Sequence, residues 1–230
     1  MMLTPRRIRD VEMLDDPTTD PFVRERSLRD VCRSNVLFGG TRAVLTELDR
    51  VMTWLGMRGT LLDVGTGLAD IPQRARTLAD SFEVELTTYG VDAAESLAKH
   101  AGTVLDGAAC ADARHLPFAD SSVDVVTCSQ MLHHFEDEQI PGVLRELDRV
   151  ARKVVIVSDL RRSWIAMCGF WLASWPLRFH PVTRHDGVVS VRRGFTAAEL
   201  SAHVLGSTGR SPLVQRRLGF RLTATWVPSL

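Results

Sequence analysis

The sequence predicts an α/β protein: a doubly wound, mostly parallel sheet with helices on both faces. Three observations carry this. Short runs rich in Val, Leu and Ile alternate with amphipathic stretches through the middle of the chain, as parallel strands joined by crossover helices do. Asp63, Asp92 and Asp112 fall at or just past the ends of three successive strands, the edge where open parallel sheets bind ligands. The length of 230 residues suffices for one sizeable core and leaves little for a second full domain.

The first thirty-odd residues carry Pro5, Pro17 and Pro21 among many charges and show no apolar period, so a loose arm or short helices are expected there. Val44, Leu45, Leu48, Val51, Met52 and Leu55 then repeat at helical spacing up to Gly56. TLLDV, from Thr60, reads as a buried strand, and Ile71, Ala75, Leu78 and Ala79 mark the next helix, with Pro72 tolerated in its first turn. VELTTYGVD is a second strand, followed by a helix with Ala94, Leu97, Ala98 and Ala101 on one face. AACADA is a short third strand and SVDVVTCSQ a fourth, leading to the stripe Ile140, Val143, Leu144, Leu147 and Val150. RKVVIVSDL is the fifth.

After Leu160 the pattern changes. SWIAMCGFWLASWPLRF holds three tryptophans and is shorter than the roughly 20 apolar residues that cross a membrane. Thr196 and Glu199 offer a capping box for a helix with Leu200 and Val204, and LVQRRLGFRLTATWVP reads as a closing antiparallel pair turning near Gly219. The expected organisation is an N-terminal cover over residues 1–56, a core over 57–160, and a helical lid insert with closing strands over 161–230.

Net charge is zero, which gives no global pull toward nucleic acid. Its distribution is uneven: residues 1–160 hold 18 Lys+Arg against 26 Asp+Glu, and residues 161–230 hold 10 against 2. Such a basic third suits an anionic substrate, an acidic partner or a membrane surface, or simply balances an acidic face. Cys32, Cys110, Cys128 and Cys168 are far apart and read as reduced thiols. With no secretory pattern at the start, a cytoplasmic protein is expected.

From Gly65 the chain reads G-T-G-L-A-D, so Asp70 holds the last place of the dinucleotide fingerprint G-x-G-x-x-G or G-x-G-x-x-A. A carboxylate beside a helix N-terminus repels the pyrophosphate that would sit there. The loop therefore suits a cationic cofactor without phosphates better than a nicotinamide dinucleotide. Gly65 and Gly67 let the backbone approach such a ligand closely.

Taken together, D-V-G-T-G-L-A from Asp63, Gly90-Val91-Asp92, the run from Asp112 to Phe118, and SSVDVVTCSQMLHHFED resemble the class I S-adenosylmethionine-dependent methyltransferases. More narrowly, they look like the branch that holds quinone-biosynthesis and small-molecule polyketide methyltransferases. The resemblance spans residues 60–160 and departs at Ala69, where many members have a third glycine. It implies a Rossmann-like, seven-stranded sheet with an antiparallel C-terminal strand, and S-adenosylmethionine as cofactor. It also implies roles: Gly65 and Gly67 under the methionine part, Asp63 toward its ammonium, and Asp92, beside Ala93, on both ribose hydroxyls. Asp112 would take the adenine amino group, the Ala113 amide would donate to the ring, and the Ser129 backbone would lie near the sulfonium. Singly, each acid also fits a helix cap or a loop. Their joint placement carries the reading.

Displacement from a sulfonium expels a neutral thioether, so positioning dominates, although a phenol with a pKa of about 10 gains from a base. His134 is the candidate nearest the cofactor, and His185 in the C-terminal insert, with Asp186 as orienting partner, is the preferred base. Adjacent histidines on a helix point about 100° apart, so HHFEDE is not expected to be a metal site. Trp164, Phe170, Trp171 and Trp175, near Arg178, Arg184, Arg192 and Arg193, read as a core helix, a lid over an apolar pocket or a peripheral membrane contact. The expected activity is O-methylation of a small lipophilic phenolic, polyketide or quinone precursor. The competing readings are a nicotinamide oxidoreductase, disfavoured by Asp70, and a non-catalytic S-adenosylmethionine-binding protein.

Overall fold

In the computed structural model, which describes residues 4–15 and 18–228, the sheet starts at β1 (Arg58–Val64). It continues through β2 (Glu85–Asp92), β3 (Gly107–Cys110), β4 (Val123–Ser129) and β5 (Ala151–Leu160). These five are parallel to one another. A hairpin of β6 (Leu213–Arg217) and β7 (Arg221–Trp226) completes seven strands in the order β3-β2-β1-β4-β5-β7-β6, with β7 antiparallel to both neighbours. The chain winds outward from β1 to β3 and then returns to β4 on the other side of β1. That reversal opens a crevice at the carboxyl ends of β1 and β4.

Successive side chains of a strand face opposite ways, and each face has its own helices. Leu61, Val125 and Ile156 pack against α2 (Gly40–Leu55) and α3 (Asp70–Asp80). Leu62, Val126 and Val155 pack on the other side against α5 (Ile140–Val150) and α8 (Ala197–Thr208). α4 (Glu95–Val104) connects β2 to β3. The apolar stripe of α5 is buried throughout, α2 stops at Gly56 (φ 76°), and the capping box of α8 forms between Thr196 and Glu199. The hairpin turns at Gly219, where a Cβ would lie 1.8 Å from the Phe38 carbonyl oxygen.

The N-terminal segment differs from the loose arm that its composition suggests; Pro17 itself lies outside the described residues. α1 (Pro21–Leu37) is a full helix, begun by the Asp20 carboxylate, which accepts from the Phe22 and Val23 amides. Ser27, Asp30 and Ser34 are among its buried residues, so an apolar period could not reveal it. Residues 4–15 are pinned as well: Arg162 donates to the Pro5 carbonyl (2.8 Å) and Arg193 to that of Asp10 (3.2 Å). After β5 come α6 (Trp164–Ser174) and α7 (Pro181–Arg193). α7 was hidden for the same reason as α1, because Thr183, Asp186 and Arg193 are buried along it.

Candidate cofactor and acceptor site

Beyond β1 the chain turns through Gly65 (φ 74°) and Gly67 (φ 54°), and Ala69 (φ 59°) leads into α3. A Cβ on Gly65 would lie 2.7 Å from the Met131 side chain, whereas Gly67 faces open space. Asp92, ending β2, joins two loops, its carboxylate accepting the Gly67 amide (3.0 Å) and the Ala94 amide (2.9 Å). Asp63 is fully buried and accepts from the Thr127 hydroxyl at 2.6 Å. Burial pushes its carboxyl up to about 7 against that hydrogen bond, and the negative charges of Asp70 and Asp92 add to the rise. Asp70 opens α3, and burial raises its pKa too, opposed by Arg74. Asp112, just past β3, is hydrogen-bonded by the Arg114 guanidinium, which brings it down to about 2.

Asp63, Gly65, Gly67, Asp92, Ala93, Asp112, Ala113 and Ser129 all line one cavity of about 870 Å³, within the range of small-molecule sites. Asp70 lines it too. This acid-ringed end attracts a cation and repels a pyrophosphate. Ser129 Oγ is buried there without a hydrogen-bond partner, as a polar atom that awaits a ligand is. The donors, acceptors and glycine gap fit S-adenosylmethionine. Asp63 and Asp92 would hold its ammonium and ribose, and Asp112 with the Ala113 amide its adenine.

The other end of the cavity is built by the turn Leu132–His134, after β4. Because this is a tight turn rather than an α-helix, the rings of His133 and His134 do not diverge but lie side by side, with centroids 4.3 Å apart and planes tilted by 32°. Both face Glu12 of the N-terminal segment: His133 Nε2 lies 3.6 Å from Glu12 Oε1, and His134 Nε2 lies 4.0 Å from Oε2. His133 Nδ1 meets Asp159 at 2.6 Å, and the Ser190 hydroxyl donates to Glu12 at 2.7 Å. Burial opposes a charge on His133, but Asp159 and Glu12 outweigh it and raise its pKa to about 9. Burial likewise opposes the Glu12 carboxylate, but His133 and His134 outweigh it and bring it down to about 2. The ligand atoms of Glu12, His133 and His134 lie within 4.8 Å of one another, a spacing a metal could use, although both ring nitrogens of His133 already face carboxylates, Glu12 and Asp159.

Arg193 fixes the turn by donating to the carbonyls of His133 (3.0 Å) and His134 (2.6 Å). Arg221, at the start of β7, is buried at the cavity wall with Nη1 unpartnered, and burial lowers its pKa to about 10. Leu14, Leu28, Val31, Phe135 and Phe170 supply apolar wall. His185 lies outside this lining: its Nδ1 meets Asp186 at 2.8 Å, but its side chain is half-exposed. Asp186 reaches the cavity, where its carboxylate accepts the amides of Met13 (2.9 Å) and Leu14 (3.0 Å).

Glu12, Asp159 and Arg221 join the site without a role expected from the sequence, and His133 was weighed there only beside His134. Asp159 carried a signal, an acid at a strand's carboxyl end like Asp63 and Asp92. Glu12 carried none, since it meets the histidines across more than a hundred residues of chain.

Residues 62–157 match a family model described as a methyltransferase domain. No curated protein matches the chain. Among solved structures, an S-adenosylmethionine-dependent methyltransferase from Aquifex aeolicus is similar at 16% identity and a TM-score of 0.54, over 79% of this chain and 89% of that one. The magnesium protoporphyrin IX methyltransferase of Synechocystis, with bound S-adenosylmethionine, is similar at 17% identity and a TM-score of 0.51, over 94% and 88%. The 1,6-didemethyltoxoflavin-N1-methyltransferase of Burkholderia thailandensis, holding its substrate and S-adenosylhomocysteine, is similar at 16% identity and a TM-score of 0.52, over 94% and 93%. These likenesses concern the fold. Residues 62–157 thus carry a methyltransferase domain, and its acid-ringed glycine cradle fits S-adenosylmethionine.

Proposed function

We propose that the protein methylates a hydroxyl oxygen of a small lipophilic molecule, a phenolic, polyketide or quinone precursor, with His134 as the base. The observation that supports this most is the chemical composition of one cavity. Its lining combines the acid and glycine cradle with two imidazoles, a buried guanidinium that keeps one nitrogen unpartnered, and apolar walls. When bound, S-adenosylmethionine supplies a methyl group on a sulfonium whose leaving group is a neutral thioether.

In this reading His134, the half-buried imidazole at the cavity wall, takes the hydroxyl proton as the oxygen–carbon bond forms and the carbon–sulfur bond breaks. His133 stays protonated between Asp159 and Glu12 and holds the turn that carries His134, while Arg221 stabilises the charge developing on the oxygen. The apolar wall excludes water and selects a lipophilic acceptor. His185 and Asp186 enter as positioning residues, because Asp186 holds the backbone that carries Glu12.

Methyl-labelled S-adenosylmethionine incubated with a panel of alkylphenols and hydroquinones, and with an extract of the source organism, tests the proposal. Label is expected on oxygen, with turnover falling about 100-fold or more in His134→Ala. Label on carbon or nitrogen, or unchanged turnover in the variant, would overturn it.

A further inference from the structure

α6 turns an uncharged face outward. Trp164, Ile165, Cys168, Trp171, Leu172 and Trp175 fall on one side of the helix at three- and four-residue spacing, and the large ones among them are 42–62% exposed. The opposite side is already packed: Ala166 and Ser174 are buried, and Phe170 lines the cavity against Gly187, where a Cβ would lie 2.1 Å from its ring. One apolar helix is thus a wall of the cavity inside and bare outside. A contiguous exposed patch of this kind marks an interaction surface.

The charges around it choose the partner. Arg178 is exposed just beyond α6, and on the neighbouring α1 Arg26 donates to its carbonyl at 3.3 Å, with Arg29 and Arg33 exposed along the same helix. Arg184 stacks over the Trp175 ring at 4.0 Å. The acids among them are Glu25, paired with Arg29, and the buried Asp30, paired with Arg26 and Arg33. Five guanidiniums against two carboxylates make a positive rim, which repels a second copy of itself and attracts an anionic surface. At 11 residues α6 is too short to cross a bilayer, and no helix among the described residues is long and apolar enough to do so. Tryptophan and arginine around a short apolar helix suit the headgroup layer instead.

We propose that α6 is an interfacial helix that seats the protein on an anionic lipid bilayer, with Trp164, Trp171 and Trp175 in the headgroup region and the cavity directly behind. Flotation of the full-length protein with phosphatidylcholine vesicles, with and without phosphatidylglycerol, tests this without turnover, so its failure would leave the methyl acceptor untouched. The protein is expected to float with the mixed vesicles, less so with phosphatidylcholine alone or in high salt, and with a blue shift of tryptophan emission. The variant carrying Trp171→Ser and Leu172→Ser, both at exposed positions, should partition about tenfold less or weaker still and bind S-adenosylmethionine as before. Absence of flotation, equal flotation of the variant, or a dimer that the variant dissolves into monomers would overturn the proposal, the last by making the stripe a contact between copies.

Discussion

Asp63 is held near neutrality by its surroundings: burial lifts its carboxyl to about 7 in spite of the Thr127 hydrogen bond. A cation placed beside it favours the carboxylate, so binding expels a proton wherever the free protein still holds one. Affinity for S-adenosylmethionine is therefore expected to climb as pH rises toward 7 and to level off above it. Calorimetry in buffers of different ionisation enthalpy would reveal the released proton, and Asp63→Asn should lose both effects. Asp92→Ala removes the acceptor of two backbone amides as well as the proposed ribose acceptor. Affinity should fall about 10- to 100-fold, at about 1.5–3 kcal/mol for a hydrogen bond to a charged group; an unchanged dissociation constant would mean that the carboxylate does not face the ligand. These acids were legible in the sequence because strand ends announce themselves by period and position. Glu12 and Arg221 were not, because nothing local distinguishes a residue whose partner comes from another part of the chain.

At the scale of elements, the N-terminal segment, the histidine turn and β5 form a clasp through Glu12, His133 and Asp159. His133 has a folded pKa of about 9 against an ordinary value of about 6.5, so its contribution is complete below 6.5 and disappears as pH rises through 9. Glu12, lowered to about 2, contributes above about 4.3 and loses that contribution as pH falls through 2. Asp63 works in the opposite sense: it is protonated in the folded state where the unfolded chain is ionised, so it withdraws stability as pH rises from about 4 to 7. Above pH 7 the His133 slope stands by itself among these three. The thermal midpoint should decline between pH 7 and 9, and His133→Gln should flatten that decline. Asp186→Ala should speed hydrogen exchange at the Met13 and Leu14 amides and lower turnover more than cofactor affinity, because it frees the segment that bears Glu12. Of these elements the turn was misjudged from helical geometry, and α1 and α7 were overlooked because their buried positions include serine, threonine, aspartate and arginine. α2 and α5, with plain apolar stripes, were legible throughout.

For the whole molecule, the basic last third has a structural use. Arg162 and Arg193 reach carbonyls of the N-terminal segment, and Arg217 pairs with Glu47 of α2, so cations late in the chain close the fold over its beginning. The uneven charge seen in the sequence is thus partly a clamp, with Arg178 and Arg184 around α6 and Arg210 and Arg216 exposed at the hairpin. The sheet order follows from right-handed crossovers and alternating strands, which is why the fold was readable when the acceptor pocket, assembled from distant side chains, was not. The central claim is that the crevice between β1 and β4 binds a cationic adenosyl cofactor. Its most direct test is calorimetric titration of the protein at pH 8 with S-adenosylmethionine and, separately, with NAD. One site per chain for S-adenosylmethionine and no heat with NAD is the expected result; binding of NAD with none of S-adenosylmethionine would contradict it.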